Sequence, residues 1–328
     1  MRVQSRFLLL GSMLLFICSL SSASEIDIIT SYKEHGIDPI EKQLDYKLTE
    51  KKYWKRYLAD KDTSFGYLES YNTILACDKS QSNLLLYKNE NGHFEQKKEY
   101  SAFTGKKQGD KQREGDLKTP VGVYNLVKKI TKVDSFYGPM AFVTSYPNSY
   151  DHYKGKSGKG IWIHGLPINQ ERDSFTKGCI AINNQNIQCL DRNIDINTTL
   201  LLINESALQK ESVSKDTYAT LLSKLYSWRY AWIYNDITTY LSFYDPAFKR
   251  YDGVALPQFA NYKTRIFNKN EKKRILFSKI NIIPYPNTAD IFEIRFNEKY
   301  NSESFAFEGE KVLIVKLTNN KLHIITEK

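Results

Sequence analysis

The sequence predicts an α+β protein with a helical N-terminal segment, a β-rich central domain and a C-terminal α+β domain. Residues 24–70 carry apolar side chains at helical spacing. Residues 71–204 contain many short strand-like runs separated by turn residues, and residues 205–328 begin helical and end in consecutive strand-like runs. A chain of 328 residues is also long enough for two domains. The polar stretch around residue 205 marks the boundary between them.

The first 23 residues have the pattern of a secretory signal peptide. Arg2 and Arg6 precede an apolar run from Phe7 to Leu20, and Ser21 to Ala23 supply small residues for cleavage. The run is shorter than the roughly 20 residues that span a bilayer. We therefore expect an exported protein with no stable membrane anchor after cleavage, with an uncleaved anchor as the alternative.

The positive charge of the chain bears on its partners. The full chain carries +10, and loss of Arg2 and Arg6 would leave 45 basic and 37 acidic residues. For an exported protein, an anionic envelope polymer explains this charge better than nucleic acid does, and general solubility is the alternative. The absence of a long basic run, a recognition helix or a zinc-finger pattern also argues against nucleic acid.

The N-terminal segment is expected to be an adaptor that packs on the next part of the chain. Asp38 and Pro39 are a good helix start. The apolar side chains behind that start recur at roughly helical spacing, and these are Ile40, Leu44, Leu48, Trp54, Tyr57 and Leu58.

The central region reads as short strands joined by turns. Its strand-like runs include YNTILACD, SNLLLYKN, HFEQKKEYSAF, GVYNLVKKI, GIWIH, GCIAIN and TTLLLIN, with a short helix over NQNIQCLDRNI. Many short strands with turn residues between them favour a small β-sandwich or barrel. In the C-terminal region, helical patterns from Thr217 to Phe248 and from Phe248 to Asn270 precede four strand-like runs.

One His–Cys pair in the central region suggests chemistry. The mature chain would hold Cys77, Cys179 and Cys189, and an odd number leaves at least one thiol without a disulfide partner. No CxxC pair occurs, and no second histidine lies near His164, so a metal site is not expected. We expect Cys77 and Cys189 to be buried and reduced, with a disulfide between them as the alternative.

A cysteine nucleophile needs a base, an orienting group and donors for the oxyanion. His164 ends a strand-like run and Gly165 follows it, while Gly178 precedes Cys179 and allows a tight backbone there. A backbone carbonyl can orient the imidazole. The alternatives are a hydrogen-bonded structural histidine and a core cysteine.

The stretch IHGLPINQERDSFTKGCIAI resembles the HG…[S/T]xGC signature of the L,D-transpeptidase (YkuD-type) catalytic domain. LKTPVGVY, FYGPMAF and the opening run YNTILACDKSQSNLLLY are similar to further family segments in the same order. The resemblance covers about residues 70–204 and implies a β-rich, sandwich-like domain that acts on peptidoglycan stem peptides without a cofactor.

The resemblance also implies roles for individual residues. Cys179 would be the nucleophile, His164 the base, and Gly165 the residue whose carbonyl orients His164. Gly178 and Cys179 would supply backbone donors to the oxyanion, and Ser174, Thr176 and Lys177 would contact substrate. Two departures are Lys177 in place of a common histidine and Ala181 in place of a common arginine. Because alanine cannot grip a carboxylate as arginine does, substrate binding should differ from that of the cross-linking enzymes.

The C-terminal region resembles an NTF2-like domain. The pairing of the two domains is similar to the helical-cell-shape L,D-carboxypeptidases of Campylobacter and Helicobacter relatives. This implies a periplasmic enzyme that removes D-alanine from meso-diaminopimelate in tetrapeptide stems and leaves tripeptides. A cross-linking or protein-anchoring transferase, and a non-catalytic wall-binding protein, remain alternatives.

The NTF2-like domain suggests a homodimer or a small ligand. Six aromatic side chains would either line a sugar pocket or form core, and these are Trp228, Tyr230, Trp232, Tyr240, Phe243 and Tyr244.

Overall fold

The computed structural model describes residues 27–168, 173–206 and 213–328. The predicted signal peptide, residues 1–23, lies outside these ranges. None of the helices in the described ranges is both long and apolar enough to cross a membrane. The fold is mixed α and β, as the sequence predicts.

The central domain is a closed barrel of eight strands. The strands are β2 (Thr73–Asp78), β3 (Asn83–Glu90), β4 (His93–Phe103), β5 (Gly122–Ile130), β6 (Ala141–Thr144), β7 (Trp162–His164), β8 (Ile180–Ile182) and β9 (Thr199–Asn204). Around the barrel the order is β2-β3-β4-β8-β7-β6-β5-β9. β4 pairs with both β3 and β8, and β5 pairs with both β6 and β9, so these two strands join the sheet into a closed ring. Of the sandwich and the barrel that the short strands favour, the structure is therefore a barrel.

The helices of the central domain are short and cover the barrel. They are α4 (Ser149–Tyr153), α5 (Asn184–Asn193) and two 3-10 turns, Ser135–Tyr137 and Ile196–Thr198. α5 confirms the short helix predicted after the cysteine. Its first turn is capped by Asn183, whose side chain accepts from the backbone N–H of Asn186.

The C-terminal domain is a five-stranded antiparallel sheet with three helices. The helices are α6 (Lys215–Ile233), α7 (Ile237–Ser242) and α8 (Leu256–Phe267), and the strands are β10 (Arg274–Pro284), β11 (Ile291–Asn301), β12 (Ala306–Thr318) and β13 (Lys321–Glu327). The fifth strand is β1 (Tyr67–Leu68), which pairs with β10. The helices that precede the strands confirm the predicted α+β pattern.

The N-terminal helices complete the C-terminal domain. They are α1 (27–35), α2 (Asp38–Leu48) and α3 (Lys51–Tyr57). Trp54 stacks on Tyr226 of α6 with ring centroids 5.1 Å apart, and Asp45 pairs with the buried Arg229 at 2.7 Å. The segment therefore packs mainly on the domain that is distant in sequence, and it reaches the barrel where Phe65 meets Tyr87.

The barrel and the C-terminal sheet share an apolar interface. Along β2, Leu75 and Cys77 point into the barrel core, whereas Ile74 and Ala76 pack outward against the C-terminal sheet. This explains why the predicted strands TILAC and TTLLLIN are almost continuously apolar, because both of their faces are buried. The outward cluster from the C-terminal domain consists of Ile283, Tyr285, Ile291, Val312, Ile314 and Ile325.

Candidate active site

Strand pairing brings His164 and Cys179 to the same face of the barrel. β7 and β8 are parallel neighbours, with Ile163 opposite Ile180 and His164 opposite Ala181. Ile163 and Ile180 belong to the barrel core. Because side chains alternate along a strand, His164 and Cys179 lie on the opposite, outer face of this sheet.

The imidazole of His164 is held by the main chain. Its Nδ1 lies 2.6 Å from the carbonyl oxygen of Gly165, and the ring is almost fully buried. A carbonyl only accepts, so Nδ1 carries the proton and Nε2 is the basic nitrogen. The ring also meets the edge of Tyr137, with centroids 5.1 Å apart. The predicted orienting role of the Gly165 carbonyl has the required geometry.

Position 165 has room only for glycine. A Cβ atom there would lie 2.4 Å from Oδ1 of Asn184 and 2.8 Å from Cδ of Pro139. The same Asn184 oxygen accepts from the N–H of Leu166 at 2.8 Å. Asn184, on the first turn of α5, thus fixes the chain directly behind the histidine. Sequence reasoning missed Asn184, and its place five residues after the cysteine was the available signal.

Cys179 comes immediately before β8, and its side chain is half-buried. Its Sγ donates to the carbonyl oxygen of Gly160 at 3.5 Å. Gly160 lies in the loop between α4 and β7, and its φ of +74° favours glycine. This contact with the loop was not predicted, although the glycine spacing in KGKSGKG marks an unusual backbone.

The loop before Cys179 is shaped by the Thr176 hydroxyl. Thr176 Oγ1 donates to the carbonyl of Cys179 at 2.6 Å and accepts from the N–H of Gly178 at 2.9 Å. The side chain is buried, so its hydroxyl supports the loop and is not presented to a substrate. The Gly178 N–H is likewise occupied, which differs from its expected role as an oxyanion donor.

Gly178 permits a conformation that other residues resist. Its φ is +136°, and a Cβ atom would lie 2.8 Å from the carbonyl oxygen of Lys118. The segment around Lys118 is tied to the loop on its other side as well, since Thr119 Oγ1 accepts from Gly105 N–H at 2.8 Å and Gly105 bridges to Thr176. Lys118 and the TPVGVY segment that follows it therefore support the loop before Cys179.

The remaining predicted substrate contacts lie on the surface. Ser174 and Lys177 are exposed on the approach to Cys179. Between them, the ring of Phe175 stacks under Lys106, whose Nζ lies 4.7 Å from the ring centroid. Ala181 is completely buried beside His164, so a longer side chain at this position would displace its neighbours.

The other cysteines lie away from this face. Cys77 and Cys189 carry free thiols, as expected, but Cys189 is half-buried with its Sγ 3.9 Å from the hydroxyl of Tyr100. Burial raises the pKa of Cys77 to about 12. In the described ranges, no cluster of three or more His, Cys, Asp or Glu side chains has metal-binding geometry.

A second polar site lies in the C-terminal domain. Lys263 lines a cavity of about 680 Å³ together with Trp232, Glu298 and Lys311. Burial lowers the pKa of Lys263 to about 8, and its Nζ lies 4.5 Å from the ring centroid of Trp232. Burial also raises the pKa of Glu298.

The predicted aromatic set is mostly core. Trp228, Tyr240, Phe243 and Tyr244 are buried among other apolar side chains, and the half-buried Tyr230 packs against Tyr234 with the two rings tilted and their centroids 4.4 Å apart. Only Trp232 of the six lines this cavity.

Comparison with known proteins gives matching results. The family model described as the L,D-transpeptidase catalytic domain (YkuD) matches residues 72–203, and the Cds6 C-terminal NTF2-like domain matches residues 220–328. The helical cell shape determining protein Pgp2 from Campylobacter jejuni is 39% identical, with a TM-score of 0.78, and the match covers 85% of this chain and 99% of that chain. A single-substitution mutant of Pgp2 gives a TM-score of 0.80 at the same identity, over 86% and 99% of the two chains.

Two further relatives are more distant or shorter in coverage. Bd1075 from Bdellovibrio bacteriovorus is 28% identical, with a TM-score of 0.65 over 81% of this chain and 96% of that chain. Putative L,D-transpeptidase YafK of Escherichia coli K12 is 40% identical over 79 residues, which are 24% of this chain and only 29% of YafK. The chain belongs to the L,D-transpeptidase family and carries a C-terminal NTF2-like domain.

Proposed function

We propose that the protein modifies peptidoglycan as a cysteine-dependent L,D-carboxypeptidase, removing D-alanine from tetrapeptide stems and thereby contributing to cell shape. The observation that carries the proposal is the placement of Cys179 and His164 on one face of parallel neighbours, with His164 Nδ1 bonded to the Gly165 carbonyl. Family membership and the similarity to Pgp2, described as helical cell shape determining, support the peptidoglycan substrate.

The first half of the reaction forms a thioester. His164 Nε2 takes the proton from Cys179 Sγ, and the thiolate attacks the carbonyl of the L-centre of meso-diaminopimelate. The tetrahedral intermediate collapses when the C–N bond to D-alanine breaks. The protonated His164 gives its proton to the leaving nitrogen, so D-alanine departs as a free amine with its carboxylate unchanged.

The second half of the reaction transfers the acyl group to water. His164 takes a proton from water, the resulting hydroxide attacks the thioester carbonyl, and the C–S bond breaks. The proton returns to the thiolate, and a tripeptide with a free carboxylate leaves. The Gly178 N–H is bonded to Thr176 Oγ1. Of the two predicted oxyanion donors, we therefore assign the role to the Cys179 N–H.

We assign substrate binding to the exposed residues of the loop that precedes Cys179. Ala181 cannot bind a carboxylate, and an arginine does not fit its buried site without rearrangement. The exposed Lys177 supplies a cation on the same loop, and Ser174 supplies a hydroxyl. We assign Lys177 to the carboxylate of the terminal D-alanine, and we assign hydrolysis over amine transfer because the arginine of the cross-linking enzymes is replaced.

Location and partners complete the proposal. The basic N-terminal pattern supports export to the periplasm, which N-terminal sequencing of the secreted protein would test by a start at Ser24. The cavity at Lys263 is offered as a site for a small ligand, and a homodimer is the alternative use of the C-terminal domain. Equilibrium sedimentation and ligand titration test these two uses separately.

Product analysis tests the proposed reaction. Mature protein is incubated with disaccharide-tetrapeptide muropeptides, and the products are weighed by mass spectrometry. We expect tripeptide and free alanine from wild type and from Cys189→Ala, a control that removes a thiol outside the site. Cys179→Ala should form neither product.

Other products would select the alternatives. Cross-linked dimers that require Cys179 would indicate a transferase. Binding to intact sacculi without any Cys179-dependent product would indicate a wall-binding protein.

A further inference from the structure

A tyrosine from the C-terminal domain enters the catalytic domain. Tyr285 directly follows β10 and is buried. Its hydroxyl accepts from the side-chain Nδ2 of Asn148 at 3.0 Å. Its ring meets Tyr150 of α4 edge-on, with centroids 4.7 Å apart. A Cβ atom on Gly122 would lie 2.5 Å from the Tyr285 hydroxyl, so the glycine of the TPVGVY segment makes room for this side chain.

Asn148 connects Tyr285 to a buried cluster of charged side chains. It is the N-cap of α4 and forms a capping box with Asp151, whose Oδ2 accepts from the Asn148 N–H at 3.0 Å. The other oxygen of Asp151 lies 2.8 Å from Nζ of Lys156, and Asp110 lies 2.6 Å from the same nitrogen. The side chains of Lys156 and Asp151 are both completely buried. A buried, fully paired cluster of this kind has little freedom to move.

Lys156 begins the loop that contacts the nucleophile. Its N–H bonds to the Asp151 carbonyl at 2.9 Å, and the N–H of Ser157 bonds to the Gln112 carbonyl at 3.0 Å. Gly158 and Gly160 then adopt φ of +98° and +74°. The carbonyl of Gly160 receives the Cys179 thiol. Glycines alone would leave this loop flexible, because they restrict the backbone little. The anchor at Lys156 therefore determines the position of the Gly160 carbonyl.

We infer that the C-terminal domain positions the nucleophile, with Tyr285 acting through Asn148, Asp151 and Lys156 on the loop that carries Gly160. Tyr285 and Lys156 are thus positioning residues and touch neither substrate nor thiol. The catalytic part of this role rests on the proposed function of Cys179. Because the hydrogen bond of Tyr285 crosses the interface between the two domains, it also gives the C-terminal domain a way to influence turnover.

The variant Tyr285→Phe isolates one hydroxyl, and Tyr71→Phe is its matched control. Tyr71 lies in the same interdomain cluster, but its hydroxyl bonds to Asn125 Oδ1 at 2.8 Å and does not reach α4. Two measurements are made on each: amide hydrogen exchange of the peptide spanning 154–161, and kcat and KM for alanine release. Exchange needs no substrate, and it reports the opening of the loop directly.

We expect Tyr285→Phe to speed exchange in 154–161 and to lower kcat, each by about threefold to tenfold, with KM unchanged. Tyr71→Phe should match wild type in both measurements. Lys156→Arg should retain most of the kcat that Lys156→Met loses, because it keeps the cation between the two carboxylates. A general loss of packing would not separate kcat from KM in this way.

Exchange in 154–161 that is equal in wild type, Tyr285→Phe and Tyr71→Phe would overturn the positioning role. A fall in kcat of the same size in both tyrosine variants would overturn it as well. If wild type releases no alanine, the proposed function fails, yet the exchange comparison still decides whether Tyr285 holds the loop.

Discussion

The barrel face at Cys179 and the cavity at Lys263 place reactive groups in different ways. At the barrel face, main-chain groups hold the key side chains: the Gly165 carbonyl holds His164 and the Gly160 carbonyl receives the thiol. In the cavity, a buried lysine is surrounded by side chains, with Glu298 and Lys311 from two different strands. The contact between His164 and Gly165 is encoded in adjacent residues, whereas the contact at Cys179 and the cavity at Lys263 arise only when distant elements assemble.

The difference also separates robust from fragile chemistry. The contact between His164 and the Gly165 carbonyl should survive most substitutions nearby, provided that Gly165 is kept. A buried charge depends on every charged neighbour, because each removal leaves another charge uncompensated. Four substitutions test this difference, in decreasing order of their expected effects.

His164→Gln should lower the rate of alanine release by about 10²- to 10⁴-fold, because it removes the general base and acid. Steady-state kinetics on muropeptides measures the loss. His152→Gln, an exposed histidine on α4, is the control and should match wild type. A His164→Gln enzyme within threefold of wild type would remove histidine from the mechanism.

Lys263→Met should change how stability depends on pH. Burial lowers the pKa of folded Lys263 to about 8, whereas an unfolded lysine titrates near 10.4. Between these values the unfolded chain binds more protons, so this group makes the free energy of unfolding rise with pH, by about 3 kcal/mol at most. Below pH 8 the charged, buried lysine imposes its full penalty.

Urea unfolding at pH 7 and pH 10 measures this dependence. The rise between the two pH values should be smaller in Lys263→Met than in wild type. Lys177→Met, which removes an exposed lysine, should leave the rise unchanged. Identical pH dependence in wild type and Lys263→Met would show that the buried lysine does not titrate in this window.

Gly178→Ala should lower the free energy of unfolding by about 1–3 kcal/mol and reduce activity, because of its φ of +136° and the contact with Lys118. Gly92→Ala is the control. Gly92 has a φ of +88° but open space around a Cβ atom, so it separates backbone strain from the clash. Equal losses of stability at the two positions would show that the Lys118 contact adds nothing.

Thr176→Val should cost about 1 kcal/mol and slow alanine release, because the two hydrogen bonds of its hydroxyl shape the cysteine loop. Thr176→Ser keeps the hydroxyl and should stay near wild type. Chemical denaturation and kcat are the measurements. A loss confined to KM would instead favour the direct contact with substrate that the family resemblance implies.

Much of the fold was accessible from the sequence. Short apolar runs between turn residues predicted seven of the eight barrel strands, and apolar periodicity predicted α5 and the helices before the last four strands; these are confirmed, whereas β6 was not predicted. The pairing of the N-terminal helices with α6 was not predicted, because helix periodicity shows that a face is buried but not which partner covers it. The closure of the barrel depends on β4 and β5 pairing twice, which no local pattern reveals.

The site likewise contains residues that the sequence alone identifies and residues that only tertiary contacts reveal. Cys179, His164 and their glycines stood out because residue type and order carry the signal. Thr176 was assigned to substrate, and the structure places its hydroxyl inside the loop, since a side chain's direction depends on the tertiary fold. Asn184, Gly160 and Tyr285 were missed because their roles come from contacts between segments that are distant in the chain or otherwise unremarkable in sequence.

Hydrolysis in H₂¹⁸O shows whether water accepts the acyl group from Cys179. Wild-type protein is given tetrapeptide muropeptides in labelled water, and the products are weighed. We expect free alanine and a tripeptide that gains one ¹⁸O in the new carboxylate, and Cys179→Ala should form neither product. An unlabelled cross-linked product, or a labelled tripeptide formed equally fast by Cys179→Ala, would contradict it.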